Sequence, residues 1–153
     1  VLLSASAMQD AMDVLDPHIP RQDVKEKMGV VVIGTVQGDI HEIGKRIVGT
    51  MLEVYGFEVH DLGADVPIEK FIEKAKEFNA DIVATSALMT TTMMSQKKLE
   101  VALKEAGLRD RVKTMVGGAA VTQDWANSIG ADGYGQDVTE AVDAAKKLVK
   151  LPK

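Results

Sequence analysis

Cysteine is absent from this chain of 153 residues, which excludes disulfides, a thiolate nucleophile, cysteine-ligated zinc and cysteine-held iron–sulfur clusters. Any strong metal ligand must come from its 3 histidines or its 23 acidic residues. No apolar run approaches the roughly 20 residues that span a bilayer, and no signal-peptide pattern marks the N-terminus. A soluble, cytoplasmic protein is expected. Clusters of lysine and arginine interleaved with aromatics are also missing, and the net charge is −5. Neither nucleic acid nor membrane is therefore an expected partner. The chain has no internal repeat, no low-complexity segment and no G-x-G-x-x-G pattern, so a dinucleotide cofactor has no fingerprint here.

What remains is a chain that is 46% hydrophobic and of ordinary single-domain length, enough for a sizeable core. Strand-like runs at Val30–Val36, Glu58–Asp61, Asp81–Ser86, Val112–Val116 and Gly130–Tyr134 alternate with helical patterns. The helices show apolar faces at the 3.6 period: Ile43, Ile47, Val48, Met51 and Leu52, then Ile68, Phe71, Ile72, Ala75 and Phe78, then Leu99, Ala102, Leu103 and Ala106. A short helix over Gln123–Ile129 and a last one carrying Val138, Ala141, Val142, Ala145 and Leu148 complete the set. Alternation of this kind predicts an α/β fold, a flavodoxin-like (Rossmann-like) parallel sheet of five strands in the order 2-1-3-4-5 with helices on both faces. In that order the loops after Val36 and Ser86 meet at the switch point.

Ahead of this unit, Leu3, Ala7, Ala11, Val14 and Leu15 recur at helical spacing. Residues 1–15 read as the last helix of an upstream helical unit. Residues 16–27, with Pro17 and Pro20, read as a linker, and residues 28–153 as the main domain.

The segment Gly38-Asp39-Ile40-His41-Glu42-Ile43-Gly44 leaves the C-terminal end of the first predicted strand and opens the first helix, the place where open α/β sheets bind ligands. It is not a phosphate loop. Five residues rather than four separate Gly38 from Gly44, Arg46 stands where a magnesium-binding hydroxyl is required, and Asp39 and Glu42 would repel phosphate. Taken alone, His41 suits a polar loop histidine beside a helix start. Taken with Asp39, it suits a metal ligand whose ring a carboxylate orients. Ser86, at the tip of the neighbouring strand, is placed to hydrogen-bond Asp39, giving a Ser86–Asp39–His41 relay whose protonation would weaken ligation. With one histidine there, the metal should arrive in a macrocycle that already fills most of its coordination sphere.

The pattern Asp39-x-His41-x-x-Gly44, then Ser86-x-Leu88, then Gly117-Gly118 resembles the signature of cobalamin-binding domains that hold the corrinoid base-off with a histidine ligand. The resemblance runs from about Gly29 to Leu148. Within that group, Gly34–His41, Ser86–Met93 and Val116–Trp125 look most like the small corrinoid proteins of methylamine and methanol methyltransferase systems.

The resemblance implies a cobamide, either cobalamin or a variant with another lower base, and a cobalt whose axial ligand is His41. Asp39 would orient that ring and Ser86 would be the next link. The displaced nucleotide tail would lie in a slot formed by Gly44, Leu88, Gly117 and Gly118, where missing or small side chains let a base and ribose approach backbone, and Gly38, Ile40 and Ile43 would be further cofactor-binding residues. Thr90, Thr91 and Thr92 are candidate donors to corrin amides, although each is also an ordinary helix-start residue. Tyr134 is a further candidate for the slot. Among Met89, Met93 and Met94, adaptable core packing competes with an apolar wall against a flat ligand. Trp125 is expected as a half-buried anchor, and His18 and His60 as surface residues. The implied function is a methyl carrier, not catalytic without its partners, between a methyl-donor-specific methyltransferase and an acceptor methyltransferase that serves a thiol or folate. A reductive activation protein is a further candidate partner. Three alternatives remain at this point: the cobalamin domain of a methionine synthase or mutase, a cobalamin-dependent sensory module, and an FMN-binding electron carrier of the same fold.

Overall fold

The computed structural model describes residues 2–19 and 27–150. Helix α1 (Leu2–Leu15) and a 3₁₀ turn at Asp16–His18 come first; part of the expected linker, residues 20–26, lies outside the described residues. The strands and helices then alternate: β1 (Val30–Thr35), α2 (Ile43–Val54), β2 (Glu58–Asp61), α3 (Ile68–Glu77), β3 (Ile82–Ser86), α4 (Met93–Glu105), β4 (Lys113–Gly117), α5 (Gln123–Ile129), β5 (Gly133–Gly135) and α6 (Val138–Leu148). The five strands form one parallel sheet in the expected order, β2-β1-β3-β4-β5.

Period-2 alternation sorts the strand residues onto two faces. Val31 and Ile33 of β1, Ile82 and Ala84 of β3 and Met115 of β4 pack with Leu52 of α2 and Ala141, Val142, Ala145 and Leu148 of α6. Val32 and Val83 take the other face with Phe71 and Ala75 of α3 and Leu99 and Leu103 of α4. A third cluster, with Val36, Val116, Val121 and Ala126, seats α5. Such burial stabilises by about 1.5–3 kcal/mol per large side chain.

The fifth strand is shorter and later than the sequence pattern predicts. Gly130 adopts φ +79° and its N–H bonds the carbonyls of Ala126 and Asn127, so it ends α5 as a left-handed cap, a common use of glycine. The strand begins only at Gly133. Register aligns Thr35 with Ser86, Ser86 with Gly117 and Gly117 with Gly135, so the C-terminal ends of four strands form one row. Helix α1 is tied to α2 through Asp13–Arg46 at 2.8 Å and Asp16–Thr50 at 3.0 Å, while Leu3, Val14 and Leu15 stay exposed. No helix among the described residues is long and apolar enough to cross a membrane.

Candidate functional site

The site begins where β1 stops. Val36 N–H donates to Ser86 O at 3.0 Å, and the chain turns at Gly38 with φ +87°, a conformation that glycine adopts without a Cβ penalty. This turn is gripped from the β2–α3 connection: Gly38 N–H donates to Asp65 Oδ1 at 2.7 Å and Asp65 N–H donates to Asp39 O at 2.9 Å. Asp65 itself has φ +53°, uncommon for a residue with a side chain. Thr35 Oγ1 donates to His41 O at 2.9 Å, which fixes the backbone at the histidine.

Asp39 is fully buried, and its two oxygens divide their work. Oδ1 accepts the His41 N–H at 3.1 Å and lies 2.7 Å from His41 Nδ1. Oδ2 accepts Leu88 N–H at 2.7 Å, Met89 N–H at 3.4 Å and Thr92 Oγ1–H at 2.8 Å. Burial pushes the carboxyl pKa up, but the bonds from the His41 side chain and backbone, Thr92 and Leu88 outweigh it and hold the value at about 2. The group is therefore an anion at neutral pH, and it fixes His41 with Nδ1 protonated. Among the described residues nothing bonds Nε2, and the ring is half exposed, so Nε2 is the nitrogen left for a ligand.

The expected Ser86–Asp39 hydrogen bond is not formed. Ser86 lies on the face of Ile82 and Ala84 and lines the cleft there, while the turn leading into α4 reaches Asp39 instead. Thr92 occupies the position foreseen for Ser86. Thr90 and Thr91 are exposed on the same turn and do not line the cleft. Tyr134 does not approach it either: its neighbours Gly133 and Gly135 face α6, so alternation sends the ring toward α5, where its hydroxyl donates to Val121 O at 3.0 Å. Met93 packs inward against the α5 cluster, whereas Met89 and Met94 are exposed. Trp125 is half-buried and its Nε1–H donates to Gln96 Oε1 at 3.0 Å. His60 sits 2.8 Å from Glu58 Oε1 and stacks on Phe78, and His18 is exposed.

A cleft of about 820 Å³ opens along the row of strand ends, between α2 and the start of α6. Ile40, His41, Ile43, Gly44, Ser86, Leu88, Gly117 and Gly118 line it; Gly38 and Asp39 support it from outside. Sequence reasoning missed three further lining stretches: Ser6 of α1, Lys45 and Val48 of α2, and Gln136–Val138. They carry no motif; the packing of α1, α2 and α6 at the strand ends brings them in. Two glycines mark close approaches. A Cβ on Gly118, at φ +119°, would lie 2.0 Å from Ala87 O, and one on Gly117 would lie 3.2 Å from Gly135 O. At Gly44 a Cβ would meet nothing, so a side chain there would project into open space.

A family model described as the B12 binding domain matches residues 29–143. This chain belongs to that family. The B12-binding domain is 58% identical over 151 residues to trimethylamine corrinoid protein 2 of Methanosarcina acetivorans, covering 98% of this chain and 70% of that protein. Among solved structures it is similar to the monomethylamine corrinoid protein of Methanosarcina barkeri, with a TM-score of 0.87 and 41% identity over 96% of this chain and 69% of the other. It is also similar to the methanol:cobalamin methyltransferase complex of the same organism, with a TM-score of 0.77 and 31% identity, covering 100% of this chain and 58% of that one. The residues fit a cobamide. Among the described residues no group of three or more histidine, cysteine or acidic side chains converges on a metal position. A single imidazole with one free nitrogen at the mouth of a glycine-edged cleft suits a metal that brings its other ligands with it.

Proposed function

We propose that this domain carries a methyl group on a base-off cobamide ligated by His41, receiving it from a methyltransferase specific for a methylated amine or methanol and yielding it to a second methyltransferase that serves a thiol or folate acceptor. The observation that carries the reading is the buried Asp39 carboxylate bonded to His41 Nδ1 at 2.7 Å, which leaves Nε2 as the ligating nitrogen. Likeness to corrinoid proteins named for trimethylamine and monomethylamine supports the donor class. When bound, the cofactor supplies the cobalt that takes up and releases the methyl group.

The chain's own residues bind, orient and shelter. His41 would hold the cofactor through Nε2, Asp39 sets the ring's tautomer, Gly44 would leave room for the displaced tail, and Gly117 and Gly118 let the strand ends that floor the cleft approach closely. Leu88 and Met89, both partly exposed on the adjoining turn, offer apolar contact, and α1, whose Ser6 lines the cleft, is read as part of a helical cap on that side. A reductive activator completes the proposed cytoplasmic system.

Purified protein loaded with methylcobalamin tests the reading. The ultraviolet–visible spectrum of the wild type should differ from that of His41→Ala, transfer of its methyl group to a thiol should require the acceptor methyltransferase, and overall transfer from a methylated amine or methanol should require both partner enzymes. An unchanged spectrum in the variant would contradict it.

A further inference from the structure

We propose that Gln96 of α4 is the positioning residue of the cleft floor, its side-chain amide clasping the segment from Gly117 to Trp125 in the shape that receives the displaced nucleotide tail. This inference rests on the tail reading above. Gln96 is only 1% exposed and touches neither Asp39 nor His41. On the buried stripe of α4, Leu99 and Leu103 join the apolar core, whereas an amide in the same stripe is costly unless its donors and its acceptor are matched. They are matched here. Nε2 donates to Thr85 O and Gly117 O, each at 3.3 Å, and Oε1 accepts the Trp125 Nε1–H at 3.0 Å.

These partners place the amide beneath the cleft. The cleft opens on the sheet face of Ile33, Ala84 and Met115, while α4 packs on the face of Val32 and Val83, so Gln96 reaches the C-terminal ends of β3 and β4 from the opposite side. Ser86 and Gly117 are the final pair of that ladder. Beyond them the chain passes Gly118 and Ala119, which line the cleft, and turns through a bond from Val121 N–H to Gly118 O at 2.9 Å. It then enters α5, where Thr122 Oγ1 accepts the Trp125 N–H at 3.2 Å. One end of this segment is the Gly117 carbonyl and the other is the Trp125 indole. Gln96 holds both. Because Gly117 and Gly118 carry no side chain that could adjust to a ligand, the position of the floor has to be set by what supports the backbone.

The test separates the tail from the rest of the cofactor. The full chain is titrated by absorbance with methylcobalamin and with methylcobinamide, which lacks the nucleotide tail, and the ratio of the two affinities is compared between proteins. The ligand's own cost of releasing its base cancels in that comparison. Without the clasp the segment takes other positions in the free protein, and the tail binds only the fraction that keeps the cleft shape. Two neutral hydrogen bonds are worth about tenfold or more in an equilibrium, so Gln96→Met should lower the preference for methylcobalamin about tenfold and leave the methylcobinamide affinity as in wild type. Trp125→Phe, which removes only the bond to Oε1, should lower the preference about threefold. A wild-type preference in either variant, or equal losses for both ligands, would overturn the proposal. Should Gln96→Met fail to fold, Trp125→Phe decides by the same criteria. Gly44→Leu tests the underlying reading: a wild-type preference there would show that the tail does not enter the cleft, and this inference would fall with it.

Discussion

A carboxylate with no solvent contact and five hydrogen-bond donors is stable only as an anion, and Asp39 has that environment. Its folded pKa of about 2 lies below the ordinary 3.8, so the folded state binds its proton less readily than the unfolded chain. A depressed acid contributes stability that is complete above the unfolded value and is lost as pH falls through the folded one. The window is therefore about pH 4 down to about pH 2, and the contribution is about 2 kcal/mol. Asp39→Asn retains the shape and cannot titrate. Urea unfolding of both proteins at pH 5 and pH 2 should show wild type losing about 2 kcal/mol more than the variant across that interval. A parallel pH dependence would show that the hydrogen bonds do not hold the charge. At neutral pH the same variant should bind cobamide about 10–100-fold more weakly, the usual cost of losing a carboxylate that orients a ligating histidine.

Helix α4 is fixed at its far end by a second buried network. Arg109 Nε bonds Glu100 Oε2 at 2.8 Å, Nη1 lies 2.8 Å from Asp132 Oδ2, and Nη2 donates to Gly130 O at 2.7 Å, so one guanidinium links α4, the cap of α5 and the entry to β5. Burial raises the Glu100 pKa above its ordinary value despite the bonds from Thr114 and Arg109. A raised acid destabilises the fold as pH rises past its unfolded value. Arg109→Met should therefore cost about 3 kcal/mol or more at neutral pH, where an uncompensated charge stays buried, and clearly less near pH 4.5; denaturant midpoints at the two pH values check this. The same network shows where the sequence stops being legible. Alternating β-branched runs and helical apolar stripes revealed four strands nearly to the residue, because both periods follow from which face is buried. The fifth was misplaced because Gly130 caps a helix, a role set by its carbonyl partners rather than by any run of residues. Asp39 and His41 were legible from their spacing after a strand. Thr92 was not, since nothing in three consecutive threonines says which one turns inward.

At the scale of the molecule, stability and binding are carried by different parts. The two main apolar clusters lie on the two faces of the sheet, while the cleft opens at the strand ends and the first turns of α2, and His41 has a half-exposed side chain. Changes at the site should therefore leave the cofactor-free protein folded. His41→Ala should melt a few degrees below wild type without cofactor, because it takes one of five donors from the buried Asp39 carboxylate. Gly44→Leu, placed where a side chain meets open space, should melt no lower than wild type. Added cobalamin at 100 times its dissociation constant stabilises the wild type by about 2.7 kcal/mol, which raises the melting temperature by about 5–10 °C for a domain of this size. His41→Ala should lose part of that rise and Gly44→Leu nearly all of it, since one removes a single bond and the other fills the cleft. Calorimetry of the three proteins with and without hydroxocobalamin decides the matter. If Gly44→Leu gains as much as wild type, the cobamide does not enter between α2 and the strand ends.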